Sequence, residues 1–314
     1  MTTEKLKEKF EQLYKEIEKV MIGQRGVVEQ VLVAMLCDAN ALLESYPGLG
    51  KTSLIKTIAE VMDLKFSRIQ NTPDLMPSDI LGTEVIEEVA GKRYFKFQQG
   101  PIFANIVLAD EINRATPKTQ AALLEAMQEK QVTVANKTYK LERPFFVLAT
   151  QNPIEQEGTY LLPEAQVDRF LLKVMVVYPT YEEEVAIAER YTKVMSEEPL
   201  RKILGATSLL ALQKFTRQVP IANDLTKYVV KLVSTTRTMK DFLEYGASPR
   251  ASIGLILAAK ARALLHGRTH VSQEDIDAMA FPILRHRLIL NFEAERKGMT
   301  SDDVIKELLK KVKP

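Results

Sequence analysis

Between the short apolar run Ala41 to Glu44 and a segment from Lys51 to Met62 with apolar residues at helical spacing lies the octet Ser45-Tyr46-Pro47-Gly48-Leu49-Gly50-Lys51-Thr52. No other feature constrains the chain as strongly, because a strand, a glycine-bearing turn and a helix in that order make a loop that closes around phosphate. Gly48 and Gly50 allow backbone N–H groups to approach an anion, and the helix that follows directs its positive end at it. Lys51 is expected to reach the β and γ oxygens of a nucleotide and Thr52 to ligate Mg²⁺, with Pro47, Leu49 and Ser53 completing the nucleotide-contacting stretch. The octet departs from G-x-x-x-x-G-K-[ST] at its first position. A serine forced to positive φ there would be strained.

A second run, Ile106 to Ala109, is wholly apolar and ends in two adjacent carboxylates, Asp110 and Glu111. Ligands of open α/β sheets bind at the carboxyl ends of the strands, so this pair is expected at the same edge as the phosphate loop. Asp110 is then expected to hold Mg²⁺ through water and Glu111 to orient or deprotonate an attacking water. Further unbroken apolar runs, KFSRI (65–69), FFVLAT (145–150) and FLLKVMVV (170–177), read as strands of a parallel sheet buried on both faces. Two stretches break the alternation, 82–103 and 130–143, and each reads as an inserted β-hairpin, the second turning at Ala135-Asn136-Lys137-Thr138.

Beyond Pro179 strand-like runs stop. Helical patterns cover 181–195, 208–219, 224–239, 248–267, 272–288 and 301–312, and Ser272 with Asp275 forms a variant capping box. The first twenty residues form one amphipathic helix. The expected architecture is therefore an α/β parallel-sheet core over 1–178, followed by a small all-helical domain over 179–314.

Composition narrows the function. With 314 residues, 46% hydrophobic and 27% charged, the chain can bury a sizeable core, and a net charge of +2 with interleaved signs argues against a dedicated nucleic-acid binder. The single cysteine, Cys37, fits a reducing compartment, and His266, His270 and His286 lack metal-ligand spacing. No signal-peptide pattern opens the chain and the uncharged run Ala251 to Ala259 is too short to span a bilayer, so a soluble, cytoplasmic protein is expected.

The phosphate loop, the strand end Leu108-Ala109-Asp110-Glu111, Asn152 in ATQNP, Arg169 in DRF and Arg250 in GASPR occur in the order found in AAA+ ATPases. The segments QNTPDLMPSDILG (70–82), QQGPIFANIVLADEINRATPKTQAALLEAMQE (98–129), FFVLATQNPIEQEGTYLLPEAQVDRF (145–170) and SPRASIGL (248–255) resemble the MoxR branch in particular. That resemblance covers nearly the whole chain. It implies that Ile22, Gly23 and Gln24 lie against adenine, that Asn152 positions the attacking water, and that Arg169 is an arginine finger given to a neighbouring subunit. It implies as well that Arg250 senses the γ-phosphate from the helical lid and that the two hairpins are the insertions of the branch. Ser45 and Asp38-Ala39-Asn40, where members often carry a glycine-rich stretch, are departures.

The function so implied is a ring-forming ATPase, a hexameric homo-oligomer binding ATP or ADP with Mg²⁺, that remodels or matures protein partners. A partner with a von Willebrand factor A domain would have to be a separate chain, since no Asp-x-Ser-x-Ser motif occurs here. A motor acting on nucleic acid and a metal-chelatase motor subunit share the same nucleotide engine and remain as alternatives, the former opposed by the near-neutral charge.

Overall fold

A computed structural model describes residues 3–89, 91–154, 158–192 and 199–313. Helices α1 (Thr3–Glu18) and α2 (Arg25–Leu36) precede β1 (Ala41–Ser45), α3 (Lys51–Val61), β2 (Phe66–Gln70) and α4 (Pro77–Leu81). The hairpin of β3 (Gly82–Val89) and β4 (Lys92–Gln99) leads to β5 (Ile106–Asp110), α5 (Pro117–Glu129) and a second hairpin, β6 (Gln131–Val134) and β7 (Lys137–Lys140). Then come β8 (Phe146–Gln151), α6 (Glu164–Val167) and β9 (Leu172–Val176). The remainder is α7 (Tyr181–Thr192), α8 (Ala206–Gln218), α9 (Asn223–Thr236), β10 (Leu243–Tyr245), α10 (Pro249–Leu265), α11 (Gln273–Leu284), β11 (Ile289–Leu290), α12 (Phe292–Arg296) and α13 (Ser301–Lys311).

The five apolar runs form one parallel sheet in the order β2-β5-β8-β1-β9. The central strands β5, β8 and β1 are buried on both faces as expected, whereas the edge strand β2 buries only Ile69 and the other edge, β9, exposes Met175. In β5, Ile106 and Leu108 pack with the helices of one face, while Val107 and Ala109 pack with α5 on the other. Both hairpins form as expected, β3 pairing antiparallel with β4 and β6 with β7, and Ala135 and Asn136 turn the second with φ of 48° and 63°. Phe97 of the first hairpin stacks on Tyr139 of the second, ring centroids 4.1 Å apart.

The helical half sits against the sheet's first face, sharing one apolar cluster with α1, α2 and α3. Polar ties reinforce it: Gln213 Nε2 donates to Met35 O at 2.8 Å and Arg262 Nε to Glu29 Oε1 at 3.0 Å. The Ser272–Asp275 capping box opens α11, and Asp275, fully buried, also pairs with Arg262 and Arg268.

Two features differ from the sequence-based expectation, and a third is only partly described. Helix α2 was not foreseen. The half beyond Pro179 is helical except for a short antiparallel pair, β10 with β11, so it is not all-helical. The helix expected over 181–195 is seen as α7, and residues 193–195 lie outside those described.

Candidate active site

Gly48 and Gly50 adopt φ of 83° and 74°, the left-handed region that glycine enters without strain, so the loop after β1 turns into the N-terminus of α3 at Gly50. Lys51 is the first residue of α3, its Nζ donating to Ser45 O at 3.4 Å across the loop. Thr52 follows half-buried and Ser53 exposed, while Pro47 and Gly48 are exposed and Leu49 is half-buried. Ser45 lies at the end of β1 outside the left-handed region, and its Oγ donates to Tyr46 O at 2.9 Å, so the departure from glycine imposes no backbone strain. Asp38-Ala39-Asn40 is a structural seam. Asp38 takes Lys130 at 2.6 Å, and Asn40 accepts from Val147 N at 2.9 Å.

Asp110 and Glu111 reach the same sheet edge from β5, one strand beyond β8, about 10 Å across the sheet at ~4.8 Å per strand. Asp110 is buried. Its Oδ1 accepts from Thr150 Oγ1 at 2.6 Å and its Oδ2 from Arg68 Nη2 at 2.6 Å. Glu111 sits at φ 55°, held by its own N–H donating to Thr150 Oγ1 at 2.8 Å, and its Oε2 receives Gln70 Nε2 at 3.0 Å and Arg114 Nε at 3.1 Å. Asn152, directly after β8 and buried, is at this edge too, its Oδ1 accepting from Ile154 N at 3.2 Å.

Ile22, Gly23 and Gln24 flank the loop. Gly23 and Gln24 have φ of 70° and 58°, and Gln24 Nε2 donates to Leu49 O at 3.3 Å. Gln24 Oε1 is buried with no hydrogen-bond partner among the described residues, leaving an acceptor for a ligand or water. Tyr46 stacks on Tyr178, centroids 5.2 Å apart, beside the loop.

Arg169 and Arg250 are elsewhere. Asp168 to Leu171 precede β9, where Leu172 pairs with Ala41, the first residue of β1, and Leu171 N donates to Asn40 O at 2.9 Å. The phosphate loop leaves β1 at its other end. Five residues at ~3.3 Å rise put about 16 Å between the two edges. Arg250 Nη1 lies 3.3 Å from Asp168 Oδ2, and Ser248 Oγ 3.4 Å from the same oxygen, so both arginines share the edge remote from their own phosphate loop. Arg169 is exposed, and its side chain makes no hydrogen bond or ion pair among the described residues. Asp168 Oδ1 accepts from the buried Arg287 Nε at 2.6 Å. Burial draws the Arg287 pKa down while Asp168 opposes that shift.

Residues 40–172 match the profile of the ATPase family associated with various cellular activities (AAA), and 236–308 match the AAA lid domain. The chain is 43% identical to Chaperone MoxR1 of Mycobacterium tuberculosis over 95% of its own length and 80% of the relative's. It is 30% identical to Protein MoxR of Paracoccus denitrificans, with 89% of each chain covered. The chain belongs to the MoxR family of AAA+ ATPases. A crystal structure from Cytophaga hutchinsonii, of a protein assigned as an ATPase, superposes on this MoxR-family chain with a TM-score of 0.92 at 42% identity, covering 99% of this chain and 96% of that one. The parallel-sheet core, the extra hairpins and the helical C-terminal region are those of an AAA ATPase and its lid, and the protein hydrolyses ATP.

Thr52 and Asp110 present hard oxygen donors at the loop edge, the donor chemistry of an Mg²⁺ ion that takes its other ligands from phosphate and water. Among the described residues no three His, Cys, Asp or Glu side chains group closely enough to hold a metal by themselves, and no helix is long and apolar enough to cross a membrane. Sequence reasoning assigned no role to Arg68, Gln70, Arg114, Thr150, Asp168 or Arg287. Arg68 and Gln70 carry a readable signal, since residues two apart on a strand share a face and β2 borders β5. Arg287 carries none.

Proposed function

We propose that this MoxR-family ATPase works as a homo-oligomeric ring, hexameric as in the family resemblance, in which each nucleotide site is completed by the neighbouring subunit. The observation that carries this reading is the shared position of Arg169 and Arg250 at Asp168, about 16 Å of strand away from their own phosphate loop. Arginines that cannot serve their own site are free to serve another's, and a head-to-tail contact repeated by rotation closes a ring.

Within one subunit, the loop amides of residues 48–50 and Lys51 bind the β and γ phosphates of ATP, with Pro47 and Leu49 shaping the loop, Thr52 and Asp110 hold Mg²⁺, and Ile22, Gly23 and Gln24 border adenine. Glu111 orients or deprotonates the attacking water and Asn152 positions it, while the partner subunit contributes the finger and the lid arginine to the γ-phosphate. Mg²⁺ supplies charge neutralisation of the phosphates when bound. Residues 1–178 act as the nucleotide-binding core and 179–314 as the lid that carries Arg250.

The output is remodelling or maturation of a protein client in the cytoplasm, together with a separate chain bearing a von Willebrand factor A domain. The likeness to a protein named Chaperone MoxR1 supports a protein client over nucleic acid or a metal chelatase. Two experiments test the roles. Lys51→Ala is expected to lose nucleotide binding, whereas Glu111→Gln keeps binding and loses turnover; equal loss of binding in both would overturn the division of labour. Glu111→Gln and Arg169→Ala, each inactive alone, are expected to regain activity when mixed, at interfaces joining an intact Glu111 to an intact Arg169; no recovery would overturn the trans reading.

A further inference from the structure

The chain between α6 and β9 belongs to no regular element, so the carbonyls of Asp168, Phe170 and Leu171 lack the partners that a helix or strand would supply. One side chain reaches all three, with His286 Nε2 also 3.1 Å from Phe170 O. Arg287, three residues beyond the end of α11 and buried, donates through Nη2 to Asp168 O at 3.1 Å and Phe170 O at 2.7 Å, and through Nη1 to Leu171 O at 3.0 Å. Its Nε takes Asp168 Oδ1 at 2.6 Å and its remaining Nη1 proton goes to Ile283 O in α11. All five guanidinium donors are used, four of them on the segment that carries Arg169.

The other oxygen of Asp168 faces Ser248 and Arg250 at the start of α10. Through Asp168 and Arg287, therefore, the backbone of Arg169 and the side chain of Arg250 are fixed to one another and to two lid helices. We propose that Arg287 is a positioning residue for the arginines a subunit presents to its neighbour, so that Arg169 and Arg250 are delivered as one unit and move only with the lid. A lysine keeps the charge but offers three donors from a single point, and cannot satisfy carbonyls and carboxylate spread over this segment.

The inference rests on the trans reading of Arg169, and mixed assemblies separate the two. Arg287→Lys mixed with Glu111→Gln is expected to recover turnover, because the Arg287→Lys subunit keeps its own Glu111 and receives well-placed arginines from its partner. Arg287→Lys mixed with Arg169→Ala is expected to stay inactive, because every interface then lacks a well-placed finger. Nucleotide affinity of Arg287→Lys should match the unaltered protein. Asp168→Asn, which preserves volume and removes the charge shared by Arg287 and Arg250, is expected to show the same asymmetry. Recovery in both mixtures, or in neither while Glu111→Gln and Arg169→Ala complement each other, overturns the role of Arg287 alone. Failure of Glu111→Gln and Arg169→Ala to complement overturns the trans reading and this inference with it. If both Arg287→Lys and Asp168→Asn fail to assemble, the contact is structural and the inference falls.

Discussion

Arg68 reaches from β2 to the Asp110 carboxylate on β5, Nη2 to Oδ2 at 2.6 Å and Nε to the same oxygen at 3.2 Å. With Thr150 on Oδ1, both oxygens of Asp110 are occupied by protein donors. A cation in that position opposes a divalent ion at the same carboxylate. The Arg68 side chain is 45% exposed, which limits the pair to ~0.2–1 kcal/mol. Arg68→Ala is therefore expected to lower the Mg²⁺ concentration that half-saturates nucleotide binding by about 1.4- to fivefold. Titrating Mg²⁺ against a fluorescent nucleotide measures it, and an increased requirement would show that Arg68 supports the ion instead of competing with it.

Ser45 is buried at the end of β1 with an ordinary strand conformation, so a glycine gains nothing in backbone freedom. Ser45→Gly is expected to leave nucleotide affinity within about threefold and to cost ~0.5–1 kcal/mol of stability through the added chain entropy of glycine in a strand. Calorimetric binding and urea denaturation report the two quantities. A tenfold gain in affinity would mean that the serine impairs the loop.

The central strands β5, β8 and β1 and the phosphate loop were legible because burial on both faces leaves a chemical trace, a run of consecutive apolar or small residues, whereas the edge strand β2 buries only Ile69. Extensive burial also hid α2. Eight of its residues, Val27, Val28 and Val31 to Leu36, are buried, so its sequence lacks the wide polar face at helical spacing that would announce it, although Leu32, Ala34, Met35 and Leu36 favour a helix. β10 and β11 are too short to carry a period at all. Asp110, Glu111 and Asn152 were found because each ends a readable strand, whereas Arg287 was not, because a buried arginine looks like any surface arginine until its carbonyl partners from a distant segment are in place.

Arg169 and Arg250 lie at one edge but make different contacts, one with no side-chain partner among the described residues and one tied to Asp168. Arg169→Ala is expected to reduce turnover by about 10³–10⁵ without loss of ATP binding, the range seen where fingers have been quantified. Turnover per subunit should also rise with protein concentration in the unaltered chain, as neighbours dock. Steady-state kinetics across a dilution series checks both, and concentration-independent turnover unaffected by Arg169→Ala would contradict a shared site.

His286 is half-buried beside the same junction, and its Nε2 lies 3.1 Å from Phe170 O. A carbonyl can only accept, so that nitrogen carries the proton, and Nδ1 is buried with no hydrogen-bond partner among the described residues. Burial first, and the Arg287 charge second, hold the His286 pKa well below its ordinary 6.5. The sign follows directly. Below about pH 6.5 the unfolded chain takes up a proton at this imidazole that the folded chain refuses, so stability rises with pH up to that value and is flat above it as far as this group is concerned. Between pH 7.5 and 5.5 the cost is about 1.4 kcal/mol for one such histidine. His286→Gln retains an N–H for Phe170 O and has no titrating proton, so its loss of stability over that interval should be smaller by that amount. Urea unfolding at the two pH values measures the difference, and parallel losses in the two proteins would show that His286 becomes protonated in the folded state and that the lid junction tolerates the charge.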